Sequence, residues 1–428
     1  MTLSPPQLFK FLGAPLAVFA VLLAVLMAVN GGGAPSVSVS ADPGAPTGDA
    51  VADYQRAVRA APDNADAYAG LGDAYLARAR QTGDPGFYSR AERSFDAALR
   101  RKPADLGALI GSGTLAGLRH DFLGELRLGR RAAAVAPELA RPLTVIADAS
   151  IELGRYGAAE RLIQRLVDTK PGLAAYSRAS YYRELSGDLP GAIEAMRLAV
   201  SAGGAPENVA YVQVLLGDLE LQRGRAGAAR VAYTSALRSL PGFPAGMVGL
   251  ARADAAGGDL GRAAARLRRA AERLPLTSTL NLLSQVERSL GHPAAAAAAL
   301  DTARAQQGLF RAAATAPDAE AVLFEADHGS PAAAVALGRR VWRAAPSVRS
   351  ADALGWALTR SGRPATGYTF ARRALALGSR DASFRLHAGI AAKAAGLAGA
   401  AARHLAIAAA ARVALTPDAR TLLREARR

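Results

Sequence analysis

Along most of the chain, apolar residues return every three or four positions, the period of a helix that buries one face. In the stretch opening at Ala65, Tyr68, Leu71, Gly72 and Tyr75 share one such face, and after a turn Ala91, Phe95 and Ala98 form a second. No segment reads as a convincing strand, so the pattern predicts helices in pairs. Prolines punctuate the pairs. Pro103, Pro137 and Pro171 follow one another at 34 residues, as do Pro241 and Pro275. Pro62 to Pro103 is one period plus a seven-residue insertion at Thr82–Tyr88, and Pro171 to Pro241 and Pro275 to Pro346 are each near two periods. A proline has no backbone N–H to donate, so each one stops a helix and starts the turn to the next pair.

Ten units open near Ala65, Leu106, Ala140, Leu173, Ala210, Pro244, Thr277, Thr315, Val348 and Ala382. In the fifth, Leu216-Gly217 is followed by Gly224, Ala229, Tyr233, Ala236 and Pro241. Gly72 and Gly217 lack a Cβ and let the first helix approach its partner, while Phe95 and Tyr233 fill the space beside the crossing. Gly154, Gly187, Gly224, Gly258, Gly291, Gly329, Gly362 and Gly396 fall where a left-handed residue would close each first helix. Three units depart from the pattern: Gly129 and Gly338 stand where the second helix wants an aromatic, and the run Ala294–Ala299 makes the seventh unit bland. This order of Leu-Gly, Tyr, Ala, aromatic, Ala and Pro resembles the tetratricopeptide repeat family. The resemblance implies an all-α, right-handed solenoid of about ten helical hairpins, in which each unit needs its neighbours to cover its faces.

The first fifty residues follow another pattern. From Phe11 to Val29 there is no charge, and nineteen residues at ~1.5 Å each nearly span a bilayer. Residues 1–10 are read as a short cytoplasmic N-terminus, 11–29 as a transmembrane helix or signal anchor, and 30–50 as a flexible linker. Lys10 precedes the apolar run, which places the remainder outside the cytoplasm. Secretion after cleavage of the segment is the alternative. Tyr54, Ala57 and Pro62 make 51–64 an N-terminal capping half-repeat, 65–415 is the repeat region, and Thr416-Pro417-Asp418 opens a capping helix over 416–428.

Composition removes most chemistry. There is no Cys, so disulfides, thiolate nucleophiles and Cys-based zinc sites are excluded. The five His have no metal-ligand spacing. Gly111 to Gly117 loosely imitates a phosphate loop, but its glycine spacing is wrong and Gly113 falls in phase as a crossing glycine. No catalytic, cofactor or metal site is expected. The net charge is +16, and only four of the 52 basic side chains are Lys. Arginines gather on second helices: Arg90, Arg93, Arg100 and Arg101; Arg127, Arg130 and Arg131; Arg262, Arg266, Arg268 and Arg269; Arg339, Arg340 and Arg343; Arg372 and Arg373.

By the same resemblance, second helices make the convex face and first helices a concave one that holds a peptide or partner protein. Read by phase, the exposed groove positions are Arg141, Asp148, Tyr211, Asp218, Arg252, Asn281, Gln285, Arg288, Asp352, Trp356 and Lys393. Trp356 is the expected anchor. The function expected is a non-catalytic scaffold for protein–protein contact at the membrane or cell envelope. The alternative is an electrostatic module whose Arg-rich face holds anionic envelope polymer or lipid. Nucleic acid is disfavoured, because no aromatics interleave with the arginines.

Overall fold

The structure, a computed structural model, describes residues 49–428. The N-terminus, the apolar segment 11–29 and nearly all of the 30–50 linker lie outside the described residues. Among the described residues there are 22 α-helices, no strand, and no helix long and apolar enough to cross a membrane.

The helices pair as the proline period demands. After α1 (Ala50–Ala60) come α2 (Ala65–Thr82) and α3 (Gly86–Arg101), α4 (Leu106–Leu118) and α5 (Phe122–Val135), then α6 (Ala140–Glu152) and α7 (Tyr156–Thr169). Next are α8 (Leu173–Leu185) with α9 (Leu189–Ser201), α10 (Pro206–Gln222) with α11 (Ala226–Ser239), and α12 (Pro244–Ala256) with α13 (Leu260–Arg273). The last four hairpins are α14 (Thr277–Ser289) and α15 (Pro293–Ala312), α16 (Ala319–His328) and α17 (Pro331–Ala344), α18 (Val348–Arg360) and α19 (Pro364–Ala374), α20 (Ala382–Ala394) and α21 (Ala398–Ala410). A 3-10 turn (Arg412–Ala414) and α22 (Pro417–Arg427) finish the chain. The result is a tetratricopeptide-like helical solenoid.

Close crossings explain the small residues. A Cβ on Gly72 would lie 2.4 Å from the Phe95 ring, and one on Gly217 would lie 2.4 Å from that of Tyr233. Where the second helix lacks its aromatic, the next hairpin fills in: a Cβ on Gly129 would meet Ile146 at 2.9 Å and Val145 at 3.0 Å. The insertion at Thr82–Tyr88 is absorbed mainly as extra helix, so that α2 runs 18 residues. Two unit openings differ from the expected ones. Pro206 starts α10 ahead of Ala210, and α16 waits for Asp318, which accepts the Ala321 amide hydrogen bond as its N-cap. Gly329 is also a correction, because its φ of −124° is not left-handed, while His120, at φ 60°, takes the left-handed position of the second unit.

First helices touch the first helices of the next hairpin, as α2 does α4, α10 does α12, and α18 does α20. The stack therefore curves with first helices inside, and it winds until distant hairpins meet. The Val348 amide donates to the Tyr156 hydroxyl at 2.7 Å, and Arg349 donates to Tyr181 at 3.2 Å. The Ala316 amide donates to the Arg119 carbonyl at 3.0 Å, and His120 Nδ1 donates back to the Ala316 carbonyl at 2.6 Å. On the far side, the 3-10 turn reaches α10 and α12, and α22 reaches α14.

Candidate functional site

This winding encloses a cavity of about 1240 Å³. Its walls are the inner faces of α10, α12, α14, α16, α18 and α20, with the end of α2 on one side and the C-terminal segment across the other. Its aromatic lining comes from Tyr211, Phe243, Phe324 and Trp356. A cavity of this size, mostly apolar with a few fixed polar groups, is suited to a ligand.

Seven of the eleven groove positions read from the sequence lie on its walls: Tyr211, Asp218, Arg252, Asn281, Gln285, Arg288 and Trp356. Arg141, Asp148, Asp352 and Lys393 do not. The expectation that all eleven are exposed is corrected for six of them, because Asp148, Tyr211, Asp218, Gln285, Asp352 and Trp356 are buried. Curvature is the physical reason: on the inside of a tight winding, each side chain leans on the hairpin before or after its own. Trp356 is 2% exposed, donates Nε1–H to Asp327 at 2.8 Å and stacks on His387 at 4.4 Å between ring centroids. It is a wall of the cavity and not a free anchor. His387 Nδ1 lies 2.9 Å from Asp352; burial opposes its protonation, but the carboxylate prevails and raises its pKa. Lys393 donates to the Ala426 carbonyl at 2.8 Å and so fastens α22.

Polar partners on the inner face follow the repeat. Arg252 pairs with Asp218, which also accepts the Tyr233 hydroxyl proton at 2.6 Å. Asp148 with Arg178, Asp218 with Arg252, Asp327 with Trp356 and Asp352 with His387 are separated by 30, 34, 29 and 35 residues. Complementary residues one repeat apart were a signal that phase counting within single units overlooked. So were Arg178, Glu184, Gln222, Glu320 and Asp381, which phase counting did not select.

The cavity differs in charge from the rest of the chain. Seven carboxyl groups line it (Glu207, Asp218, Glu320, Asp327, Asp381, Asp418 and Glu425) against four guanidiniums (Arg80, Arg252, Arg288 and Arg360). Burial, with the Asp318 charge adding, pushes Glu320 up to about 7, and burial pushes Asp381 up to about 6. His328 is pushed down by burial. Gln222, 6% exposed, donates Nε2–H to Glu184 at 2.8 Å, while its Oε1 has no partner; Arg80 Nη1 has none either.

On the opposite face, of the sixteen arginines named on second helices, all but the half-buried Arg266 are exposed. No group of three or more His, Asp or Glu among the described residues is placed to hold a metal ion.

No family model matches the chain, and no curated protein matches it. Solved structures do. The chain is similar to one from the APC/C hetero-tetramer Cut9-Hcn1 (16% identity, TM-score 0.38, covering 88% of this chain and 81% of that one). It is also similar to human IFIT1 in its dimer with m7Gppp-AAAA (15%, 0.49, 77% and 76%). A third is PilW, described as a widely conserved type IV pilus biogenesis factor (16%, 0.31, 58% and 97%). These are helical-repeat proteins, and their ligands are their own.

Proposed function

We propose that this chain is a non-catalytic scaffold that holds a segment of a partner protein against the inner face of its solenoid. The observation that carries the reading is the cavity itself, walled by the first helices of six consecutive hairpins. Many modest contacts spread over those helices favour an elongated polypeptide over a compact metabolite. The apolar segment 11–29 would tether the scaffold to a membrane, with the repeats outside the cytoplasm.

A narrowing substitution tests the groove. Ala245→Trp, on the cavity wall, should abolish crosslinking to the partner in native membranes while the helical circular dichroism persists. Unchanged crosslinking would place the partner elsewhere. A second reading, electrostatic attachment through the outer face, draws on the fifteen exposed arginines. It requires release as ionic strength rises, whereas groove binding should respond weakly.

A further inference from the structure

We propose that the segment taken up by the cavity is basic: a stretch of a partner protein carrying Lys or Arg beside aliphatic anchors. The inference rests on the groove reading above and adds the chemistry of the occupant. Charge complementarity is the first argument. The chain as a whole is +16, yet seven carboxyl groups face four guanidiniums around the cavity. Two of those guanidiniums are already committed, Arg252 to Asp218 and Arg288 to Asp418. Glu320 is half-buried with only the Arg349 charge drawn towards it, and Asp381 is buried as the N-cap of α20, where it accepts the Phe384 amide hydrogen bond. A cation entering there gains a counter-charge in a poorly solvated site, where Coulomb attraction is stronger than at the surface.

An independent observation is the Gln222 amide. Its side chain is more than nine-tenths buried on the cavity wall, and Oε1 has no donor. An orphaned buried acceptor of this kind is rare in folded proteins and calls for an N–H from an occupant. At another wall, Arg80 Nη1 is an unmatched donor suited to a main-chain carbonyl. A polypeptide offers both groups, and a simple cation offers only one.

The C-terminal helix that crosses the cavity carries Arg420, Arg424 and Arg427, and buries Leu423. Arg420 donates to the Ala255 carbonyl on the inner helix α12 at 3.0 Å. The face this helix turns to the cavity carries Asp418 and Glu425 and none of these arginines, so the helix itself adds to the acidic lining.

The test uses the full chain and three fluorescein-labelled peptides with one leucine spacing, bearing Lys, Ser or Glu at every other position. A photocrosslinker on each peptide reports which helices it touches. The Lys peptide should bind at least about ten-fold tighter than the Ser peptide, equivalent to about 1.4 kcal/mol, and label α14, α16 and α20. Glu320→Gln, which keeps the shape of the side chain and removes its charge, should weaken it several-fold. Equal binding of the Ser and Lys peptides at the inner helices would overturn the basic occupant and leave the groove standing, as would tighter binding of the Glu peptide there. If no peptide labelled the inner helices, both the inference and the groove reading would fall.

Discussion

The guanidinium of Arg178, with none of its surface exposed, grips the Asp148 carboxylate through two parallel hydrogen bonds, Nε to Oδ1 at 2.9 Å and Nη2 to Oδ2 at 2.8 Å. The pair ties α8 to α6 across the hairpin joint, and Arg178 also donates to the Ala174 carbonyl at 2.9 Å. Removing one partner leaves the other charge buried alone. Arg178→Met is expected to destabilise the fold by about 3–5 kcal/mol, and Arg178→Lys should recover only part of that, because an ammonium cannot make the bidentate contact. Urea unfolding of both variants checks this. A midpoint unchanged in Arg178→Met would mean that the pair contributes nothing.

The helix boundaries were legible because they depend on local chemistry. Eight of the ten expected openings coincide with the first residue of a helix, among them Leu106, Leu173 and Ala382. Proline stops and glycine crossings act within a few residues, and one chain shows them. The interior of the winding was not legible in the same way. Whether Asp148 meets solvent or Arg178 depends on small rotations accumulated from hairpin to hairpin, and no single unit carries that information. Contacts such as Tyr156 to Val348, 192 residues apart, leave no periodic trace. Seven of the expected positions lie on the cavity wall because helix phase does report which side faces inward; the burial of four of them was missed because phase says nothing of how tightly that side curls.

Two glycine substitutions should act in opposite directions. Gly217→Ala would place a Cβ 2.4 Å from a ring carbon of Tyr233, which is itself fully buried and hydrogen-bonded to Asp218. Overpacking of that kind costs about 1–3 kcal/mol. Gly308 sits in the interior of α15 with nothing within 4 Å of its would-be Cβ. Gly308→Ala should therefore gain about 0.5–1 kcal/mol from helix propensity. Thermal melts of the two variants check both signs, and a stabilised Gly217→Ala would refute the tight crossing.

The buried and half-buried carboxyl groups predict a pH dependence. Burial, aided by neighbouring acids, holds Glu125 and Glu184 well above the usual carboxylate range, and burial raises Glu152. Glu320 stands at about 7 and Asp381 at about 6 for the same principal reason. Unfolded, all five titrate near ~4. The folded chain thus binds more protons from about pH 4 to 7, and stability must fall as pH rises through that window. His387, raised by Asp352, contributes in the same direction, while His328 and His404, lowered first by burial, oppose it and are outnumbered. The melting temperature should be higher at about pH 5.5 than at about pH 8, and Glu184→Gln should flatten the difference. A melting temperature that rises towards pH 8 would contradict the burial of these groups.

The seam between distant hairpins makes the last prediction, and it separates this winding from an open solenoid. In an extended repeat array, each unit feels only its neighbours, so a surface deletion stays local. Here the Tyr156 hydroxyl accepts the amide of Val348, the first residue of α18, at 2.7 Å, and Val348 is 4% exposed. Tyr156→Phe removes the acceptor and leaves that amide buried, at a cost of about 1–3 kcal/mol. The ring stays, so packing in the third hairpin is little changed. Hydrogen exchange should therefore quicken near Val348, in the ninth hairpin, more than around residue 156 itself. Because Arg349 beside it also reaches back to Tyr181, the loosening should extend to the end of α8. Exchange altered only in α7 would show that the two ends of the winding are not coupled.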